Sequence, residues 1–166
     1  MASDRTDLGD LKGILDRVQQ WTAAADQKTE ILTAIETLAL GFVLPQVSTW
    51  LGAEHTTPLI KVMLHASCVV LAVGVAMSVY ALFPRTAPSA DSLTYFGSIQ
   101  GMSLEEYRRR LEAMDPAGWA DDYTSQIHEC SRIALAKFRL LKRSVKLFGG
   151  GLALMVLTYV VALARY

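Results

Sequence analysis

The sequence has few charged residues, and those it has avoid three long stretches of the chain. Asp, Glu, Lys and Arg make up 19% of the 166 residues, hydrophobic residues make up 52%, and the mean hydropathy is positive. A soluble domain usually carries about 25% charged residues. The length suits one domain of ordinary size, so we expect no second independent fold. The formal net charge of zero indicates no class of partner, because the charges are distributed unevenly.

The motifs that would indicate an enzyme or a metal site are also missing. The sequence contains no G-x-x-x-x-G-K-[ST], G-x-G-x-x-G, H-E-x-x-H or C-x-x-C, and no nucleophile elbow surrounds a serine. His55, His65 and His128 lie in three different segments, which argues against a shared metal ion. Cys68 and Cys130 lie in different environments, so we expect no disulfide. These absences predict a protein that is not an enzyme and holds no cofactor or metal.

Three apolar stretches are long enough to cross a bilayer, whose hydrocarbon core requires about 20 mostly apolar residues in a helix. We predict transmembrane spans at residues 31–51, 58–83 and 147–165. The second and third contain charge-free runs of 18 residues, at 66–83 and 147–164. A soluble bundle with buried helices is the alternative, but two such runs are difficult to solvate.

The first span is the least regular, because it contains Glu36, Pro45 and Gln46. Proline is tolerated in a spanning helix when neighbouring helices satisfy the freed backbone groups. Ionisable residues within spans are rare and usually face the bundle interior or a water path. Glu36 is therefore a candidate gating residue. The alternative is that it lies near the membrane surface or bonds a neighbouring helix.

Lys and Arg are concentrated on one side of the predicted spans. The loop at residues 52–57 has neither, whereas residues 84–146 contain ten, six of them in the 15 residues before the last span. The positive-inside rule therefore predicts that the N-terminus and residues 84–146 lie in the cytoplasm. The first 30 residues are polar and have no basic region followed by a short apolar run, so we expect no signal peptide.

The segments outside the spans have helical periodicity, and no strand pattern occurs. Residues 6–28 carry one helical face with steps of three and four, at Leu8, Leu11, Leu15, Val18 and Thr22. Ser103 and Glu106 form a capping box that starts a short helix, and residues 115–118 end it. A long helix over residues 119–146 has its own stripe, at Tyr123, Ile127, Cys130, Ala134, Phe138, Leu141 and Val145.

Together these patterns predict an all-α membrane protein. It would have an N-terminal amphipathic helix (residues 1–30), three transmembrane helices, and a helical cytoplasmic segment (residues 84–146) between the second and third spans. The last helix of that segment would run directly into the third span.

Charged residues at the ends of the spans are further candidates for a site. Asp26 and Glu30 lie where the first span begins, which is typical of the membrane surface, although Asp26 is also a candidate gating residue. Lys137 lies beside the stripe of the long helix, so its ammonium points partly towards a helix interface and needs an anion. The spacing leaves three anions open, namely Asp26, Glu30 and a ligand phosphate.

Gly149, Gly150 and Gly151 lie where the long helix enters the third span. Each glycine in a helix interior costs about 1 kcal/mol relative to alanine, so three in succession need a reason. One is a hinge that lets the cytoplasmic helix move, which makes the three glycines candidate gating residues. The other is close helix packing, because small residues let backbones approach in lipid. We favour packing, and the two are compatible.

Several short motifs, in the same order along nearly the whole chain, resemble the transmembrane effectors of bacterial Pycsar anti-phage systems. They are Ala25-Asp26-Gln27-Lys28-Thr29, Phe83-Pro84-Arg85, Tyr95-Phe96-Gly97-Ser98-Ile99, Ser103-Leu104-Glu105-Glu106-Tyr107, Gln126-Ile127 and Ile133-Ala134-Leu135-Ala136-Lys137-Phe138. Each motif is short, and together they occur in register with the predicted spans. Thr29 is a minor departure, because similar sequences more often have alanine there.

The resemblance implies a function that the spacing does not. Such effectors act in the bacterial inner membrane downstream of a pyrimidine cyclase, whose product is cyclic CMP or cyclic UMP. The nucleotide is expected to make the protein oligomerise or rearrange and disrupt the membrane, which causes abortive infection. The expected partners are therefore the lipid bilayer, the cyclic nucleotide as ligand and further copies of the chain, with functional pairing to the cyclase and no nucleic acid.

A cyclic pyrimidine nucleotide presents a phosphate charge and a base face. Its recognition requires Lys or Arg for the phosphate and an aromatic side chain for the base. Residues of these types in the cytoplasmic parts are the ligand candidates: Lys28, Tyr95, Phe96, Tyr107, Arg132 and Lys137. The alternative for Tyr95 and Phe96 is a structural turn, with Gly97 allowing the bend.

Two other classes of function compete with the sensor. A holin-like or scaffold protein would permeabilise or organise the membrane without sensing a nucleotide, but holins usually lack a cytoplasmic insert as long as residues 84–146. A transporter subunit is disfavoured because the sequence has no internal repeat.

Overall fold

The computed structural model describes residues 7–53, 56–83 and 92–164, and within them it is helical without a strand. The prediction of an all-α protein is therefore confirmed. His55, Pro84 and Arg85, which entered the sequence analysis, lie outside the described residues. The helices are α1 (Leu8–Gly52), α2 (Pro58–Leu82), α3 (Phe96–Gln100), α4 (Leu104–Ala113) and α5 (Pro116–Leu163).

Three of these helices are long and apolar enough to cross a membrane, namely α1, α2 and α5, which confirms the prediction of three spanning helices. The predicted amphipathic helix and the first span form one continuous helix, α1, of 45 residues with Pro45 inside it. The last helix of the predicted cytoplasmic segment likewise continues into the third span as α5, of 48 residues. The chain is therefore a multi-pass membrane protein.

The long helix α5 begins earlier than residue 119, where the periodicity placed its start. Pro116 is its first residue, a position where the missing N–H costs nothing. Asp115 caps it, because its carboxylate accepts the backbone N–H of Gly118 at 2.8 Å. Half of the predicted capping box is present before α4, because Ser103 Oγ accepts the N–H of Glu106 at 3.1 Å while the Glu106 carboxylate accepts from Arg109 and Arg110. The short helix α3 was not predicted.

The chain divides into two compact units, and α1 and α5 contribute residues to both. The first, here called the head unit, comprises Met1–Ala25 and Pro84–Ala136. The second, here called the bundle unit, comprises Asp26–Phe83 and Lys137–Tyr166. In the head unit, Leu11, Leu15 and Val18 are buried at the steps of four and three that the sequence predicts.

Apolar side chains from all three spanning helices fill the core of the bundle unit. Eight residues form it: Val43, Val47, Ile60, Leu64, Leu71, Phe148, Met155 and Ala162. Trp50 and Tyr159 pack edge to face near one end, with ring centroids 5.6 Å apart. Large apolar side chains such as Leu38 and Phe42 are about three-quarters exposed, as expected of helix faces that contact lipid.

Candidate functional site

A buried polar cluster joins the three spanning helices of the bundle unit. Glu36 on α1, Ser78 on α2 and Ser144 on α5 are all fully buried. Ser144 Oγ lies 2.8 Å from Glu36 Oε1 and 3.0 Å from the carbonyl oxygen of Gly74. Ser78 Oγ donates to Glu36 Oε2 and lies 2.5 Å from Ser144 Oγ. We call these four residues the Glu36 cluster.

The Glu36 cluster lies towards one end of the bundle unit. Trp50 follows Glu36 by 14 residues and Tyr159 follows Ser144 by 15, so about 21 Å of helix separates the cluster from the aromatic pair. Ser144 lies three residues before the predicted start of the third span, between the exposed residues Arg143 and Lys146. The sequence left open whether Glu36 faces the bundle interior or a water path, lies near the membrane surface or bonds a neighbouring helix. The structure shows bonds to both neighbouring helices, and Ser144, one of its partners, lies beside the basic residues Arg143 and Lys146.

Lys137 forms an ion pair with Asp26 in the bundle unit. The two residues lie on α5 and α1, and Lys137 Nζ donates to Asp26 Oδ1. The Lys137 side chain is 7% exposed and that of Asp26 is 36% exposed. Of the three anions that the sequence left open, the structure therefore places Asp26 beside the ammonium. A buried charge needs such a partner, since unpaired burial is costly.

The three consecutive glycines of α5 have different surroundings. A Cβ on Gly151 would lie 2.8 Å from Leu71 Cγ, so this glycine lets α5 approach α2 closely. Gly74 plays the matching role on α2, where a Cβ would lie 3.2 Å from the backbone nitrogen of Phe148. Gly149 and Gly150 have no such neighbour within 4 Å and are exposed. Close packing within the chain therefore explains Gly151, whereas nothing in the structure explains Gly149 and Gly150.

In the head unit, Asp122 on α5 holds the segment that precedes α3. Its Oδ2 accepts the backbone N–H of Leu93 and the hydroxyl of Thr94, both at 3.1 Å. Tyr107 on α4 donates its hydroxyl to the carbonyl oxygen of Leu93 at 3.3 Å. Ser92 Oγ accepts the N–H groups of Thr94 and Tyr95. The hydroxyl of the ligand candidate Tyr107 therefore already has a hydrogen-bond partner within the protein, in the segment that leads to Tyr95.

The aromatic residues Tyr95 and Phe96 differ in exposure. Their rings are tilted with centroids 4.8 Å apart, and Phe96 is 68% exposed. Gly97 does not have the positive φ that a glycine-specific bend requires. Its role is spatial, because a Cβ there would lie 2.6 Å from Tyr95 Cε1. The structural explanation therefore fits Tyr95, while the exposed ring of Phe96 is available for stacking.

The remaining ligand candidates are Arg132, in the head unit, and Lys28, in the bundle unit. Arg132 donates to Glu129 at 2.6 Å, and this hydrogen bond raises the pKa of its guanidinium. Its side chain is nevertheless 67% exposed. Lys28 is exposed. Neither residue is held in a closed pocket, and no group of three or more metal-binding side chains occurs within the described ranges.

Gln126 is a functional candidate that only the family-like motif marked. It lies on α5 in the head unit, one helical turn after Asp122, and is 5% exposed. Its buried Nε2 has no hydrogen-bond partner. Such a group costs about 1–3 kcal/mol relative to a paired one, so pairing or replacing it should stabilise the head unit.

The sequence analysis did not identify Ser78, Ser144 or Asp122. Ser144 lies seven residues after Lys137, which is two turns along the same helical face and was a usable signal. Ser78 lies in a charge-free run where a hydroxyl carries no distinguishing pattern. Asp122 bonds a segment 28 residues away in sequence, so only the fold brings them together.

Comparison with known proteins places most of the chain in one described family. The family model described as PycTM, the Pycsar effector protein domain, matches residues 10–164. No curated protein and no solved structure matches the chain. The matched region includes the Glu36 cluster, the Lys137–Asp26 pair and all the ligand candidates. The three spanning helices agree with a transmembrane effector, and the chain belongs to the Pycsar effector family.

Proposed function

We propose that this protein is a nucleotide-gated effector of a bacterial anti-phage defence system. Cyclic CMP or cyclic UMP binds the head unit and makes the protein oligomerise or rearrange. The bundle unit then disrupts the inner membrane, so that the infected cell stops growing before phage matures. Family membership and the three spans support the effector part of this proposal.

The observation that best supports gating is the continuity of α1 and α5. Each helix contributes residues to both the head unit and the bundle unit and is one continuous helix across the division between them. Helix shifts of 1–2 Å are a common means of transmitting a binding event. A small rotation or translation of either helix in the head unit would therefore move Asp26, Glu36, Lys137 or Ser144.

Ligand recognition in this proposal relies on exposed groups of the head unit. Phe96 offers an exposed ring to the pyrimidine base, and Arg132 offers a guanidinium to the phosphate. Arg132 would exchange its bond to Glu129 for the phosphate, whose oxygens can accept two guanidinium N–H groups side by side. Lys137 acts differently, because its ammonium already has Asp26 as partner. We assign it to gating rather than to the ligand.

The test is dye leakage from liposomes that contain the purified full-length protein. We expect leakage to rise when cyclic CMP or cyclic UMP is added and to remain at its basal level with cyclic AMP or linear CMP. A ligand shifts an equilibrium only if it binds the two states unequally, so the active nucleotide must also bind measurably in calorimetry.

Variants separate binding from gating. Phe96→Ala and Arg132→Gln should weaken nucleotide binding, whereas Lys137→Gln should preserve binding and change leakage. Arg108→Gln, at an exposed basic residue outside the candidate set, is the matched control. Leakage that is equal with and without either nucleotide would contradict gating and favour a holin-like protein.

A further inference from the structure

Five oxygen atoms converge inside the bundle unit at the Glu36 cluster. They are the two carboxylate oxygens of Glu36, the hydroxyl oxygens of Ser78 and Ser144, and the carbonyl oxygen of Gly74. They come from three different helices, and the three side chains are fully buried. Glu36 is the only acidic residue within the three predicted spans.

The cluster has more oxygen–oxygen contacts than its hydroxyl hydrogens can fill. Four contacts join these atoms, but the two serine hydroxyls supply only two hydrogens, so each hydrogen is shared between two acceptors or leaves a contact without one. Two oxygens at hydrogen-bond distance without a hydrogen between them repel each other. A positive charge placed among them removes this repulsion.

The negative charge of Glu36 also requires a positive charge nearby. Ion pairs in the described part of the chain involve Glu106, Glu129 and Asp26, and none involves Glu36. A buried carboxylate without a positive partner is very costly in an apolar environment. Near the cluster on the three helices, Glu30, Tyr80, Arg139, Lys142, Arg143 and Lys146 are exposed, and the buried Lys137 is already paired with Asp26. The balancing charge must therefore come from outside the chain.

We propose that the Glu36 cluster binds one monovalent cation, either a proton or a sodium ion. One carboxylate balances one positive charge, whereas a divalent ion would remain unbalanced. Carboxylate, hydroxyl and carbonyl oxygens are hard ligands that suit sodium, and the same carboxylate and hydroxyls can share a proton. Because three helices supply the ligands, the bound cation holds the bundle together. The proposal does not depend on activation by a nucleotide.

Labelling with dicyclohexylcarbodiimide tests the site in the full-length protein. This reagent modifies protonated carboxyl groups in apolar surroundings, and mass spectrometry of peptides identifies the modified residue. We expect labelling of Glu36. If sodium is the occupant, sodium chloride slows labelling relative to choline chloride, by about tenfold at roughly ten times its dissociation constant. If a proton is the occupant, labelling rises as the pH falls and does not respond to sodium.

Two variants control the experiment. Glu36→Gln must abolish the label, whereas Glu30→Gln, which changes an exposed carboxylate on the same helix, must retain it. Ser144→Ala removes one ligand and keeps the carboxylate, so it should reduce protection by sodium or change the pH at which labelling rises. Absence of Glu36 labelling from pH 5 to 8, with a thermal midpoint that is equal in sodium and choline, would overturn the proposal.

Discussion

The two units of the molecule differ in how their apolar side chains are buried. Ile60, Leu64 and Leu71 of the bundle unit are at most 1% exposed, whereas the short helices α3 and α4 of the head unit contain no buried residue. The bundle unit also has buried polar side chains that bond one another across helices, as Glu36 does with Ser78 and Ser144. Buried polar atoms without a partner occur in both units, namely Nε2 of Gln126 in the head unit and Oγ1 of Thr56 and Thr57 in the bundle unit.

This difference bears on the proposed gating. A region with few buried apolar contacts opens at low cost, and binding sites are commonly found in such regions. If a ligand binds the head unit as proposed, α3 and α4 are therefore the elements that we expect to move first.

Removing the carboxylate from the ion pair of the bundle unit should have the largest effect. Asp26→Ala leaves the Lys137 ammonium buried without a partner, and we expect a loss of about 3 kcal/mol in the free energy of unfolding. Lys137→Met removes the buried charge itself and should cost less. Thermal unfolding in detergent micelles, followed by circular dichroism, measures both variants.

The control for this prediction is Asp16→Ala, which removes an exposed carboxylate from the same helix. It should change stability by no more than about 0.5 kcal/mol. If Lys137→Met were as damaging as Asp26→Ala, the loss would come from packing of the lysine side chain and not from an unpaired charge.

The glycines of α5 provide a test in which two neighbouring substitutions should have opposite effects on the stability of the protein. Gly151→Ala places a Cβ against Leu71 and should destabilise the bundle unit by about 1–3 kcal/mol. Gly149→Ala meets no atom of the chain within 4 Å and should stabilise α5 by up to about 1 kcal/mol. Thermal midpoints measured side by side decide the signs. A destabilising Gly149→Ala would show that this glycine contacts another copy of the chain or acts as a hinge.

Gln126 allows a test of the head unit. Gln126→Leu replaces an unpaired buried amide with an apolar side chain of similar size, so we expect stability to rise by about 1 kcal/mol. Gln20→Leu, at an exposed position of α1, serves as the control for added hydrophobicity. Destabilisation by Gln126→Leu would mean that the amide has a partner in solution.

The sequence predicted the helices well because helical periodicity and long apolar runs are local signals. It identified Glu36 and Lys137 as unusual because a charged residue among apolar neighbours can be recognised from the sequence alone. It did not identify the hydroxyls that bond Glu36, because Ser78 and Ser144 come from two other helices and serine is common in spans. Nor did it predict α3, a single turn held in place by Asp122, which lies far away in sequence.

The smallest effect that we predict concerns the reactivity of Cys130 in the head unit. Burial raises the pKa of its thiol, and the carboxylate of Glu129 raises it further. Less thiolate is then present at neutral pH, so in a Cys68→Ala background alkylation by iodoacetamide should be slower than for a free thiol and should continue to rise with pH above the usual thiol range. Glu129→Gln should accelerate alkylation at pH 8 by less than about tenfold, because it removes only the smaller cause. If an active nucleotide closes the head unit, it should slow the reaction further, whereas an unchanged rate would place the rearrangement elsewhere.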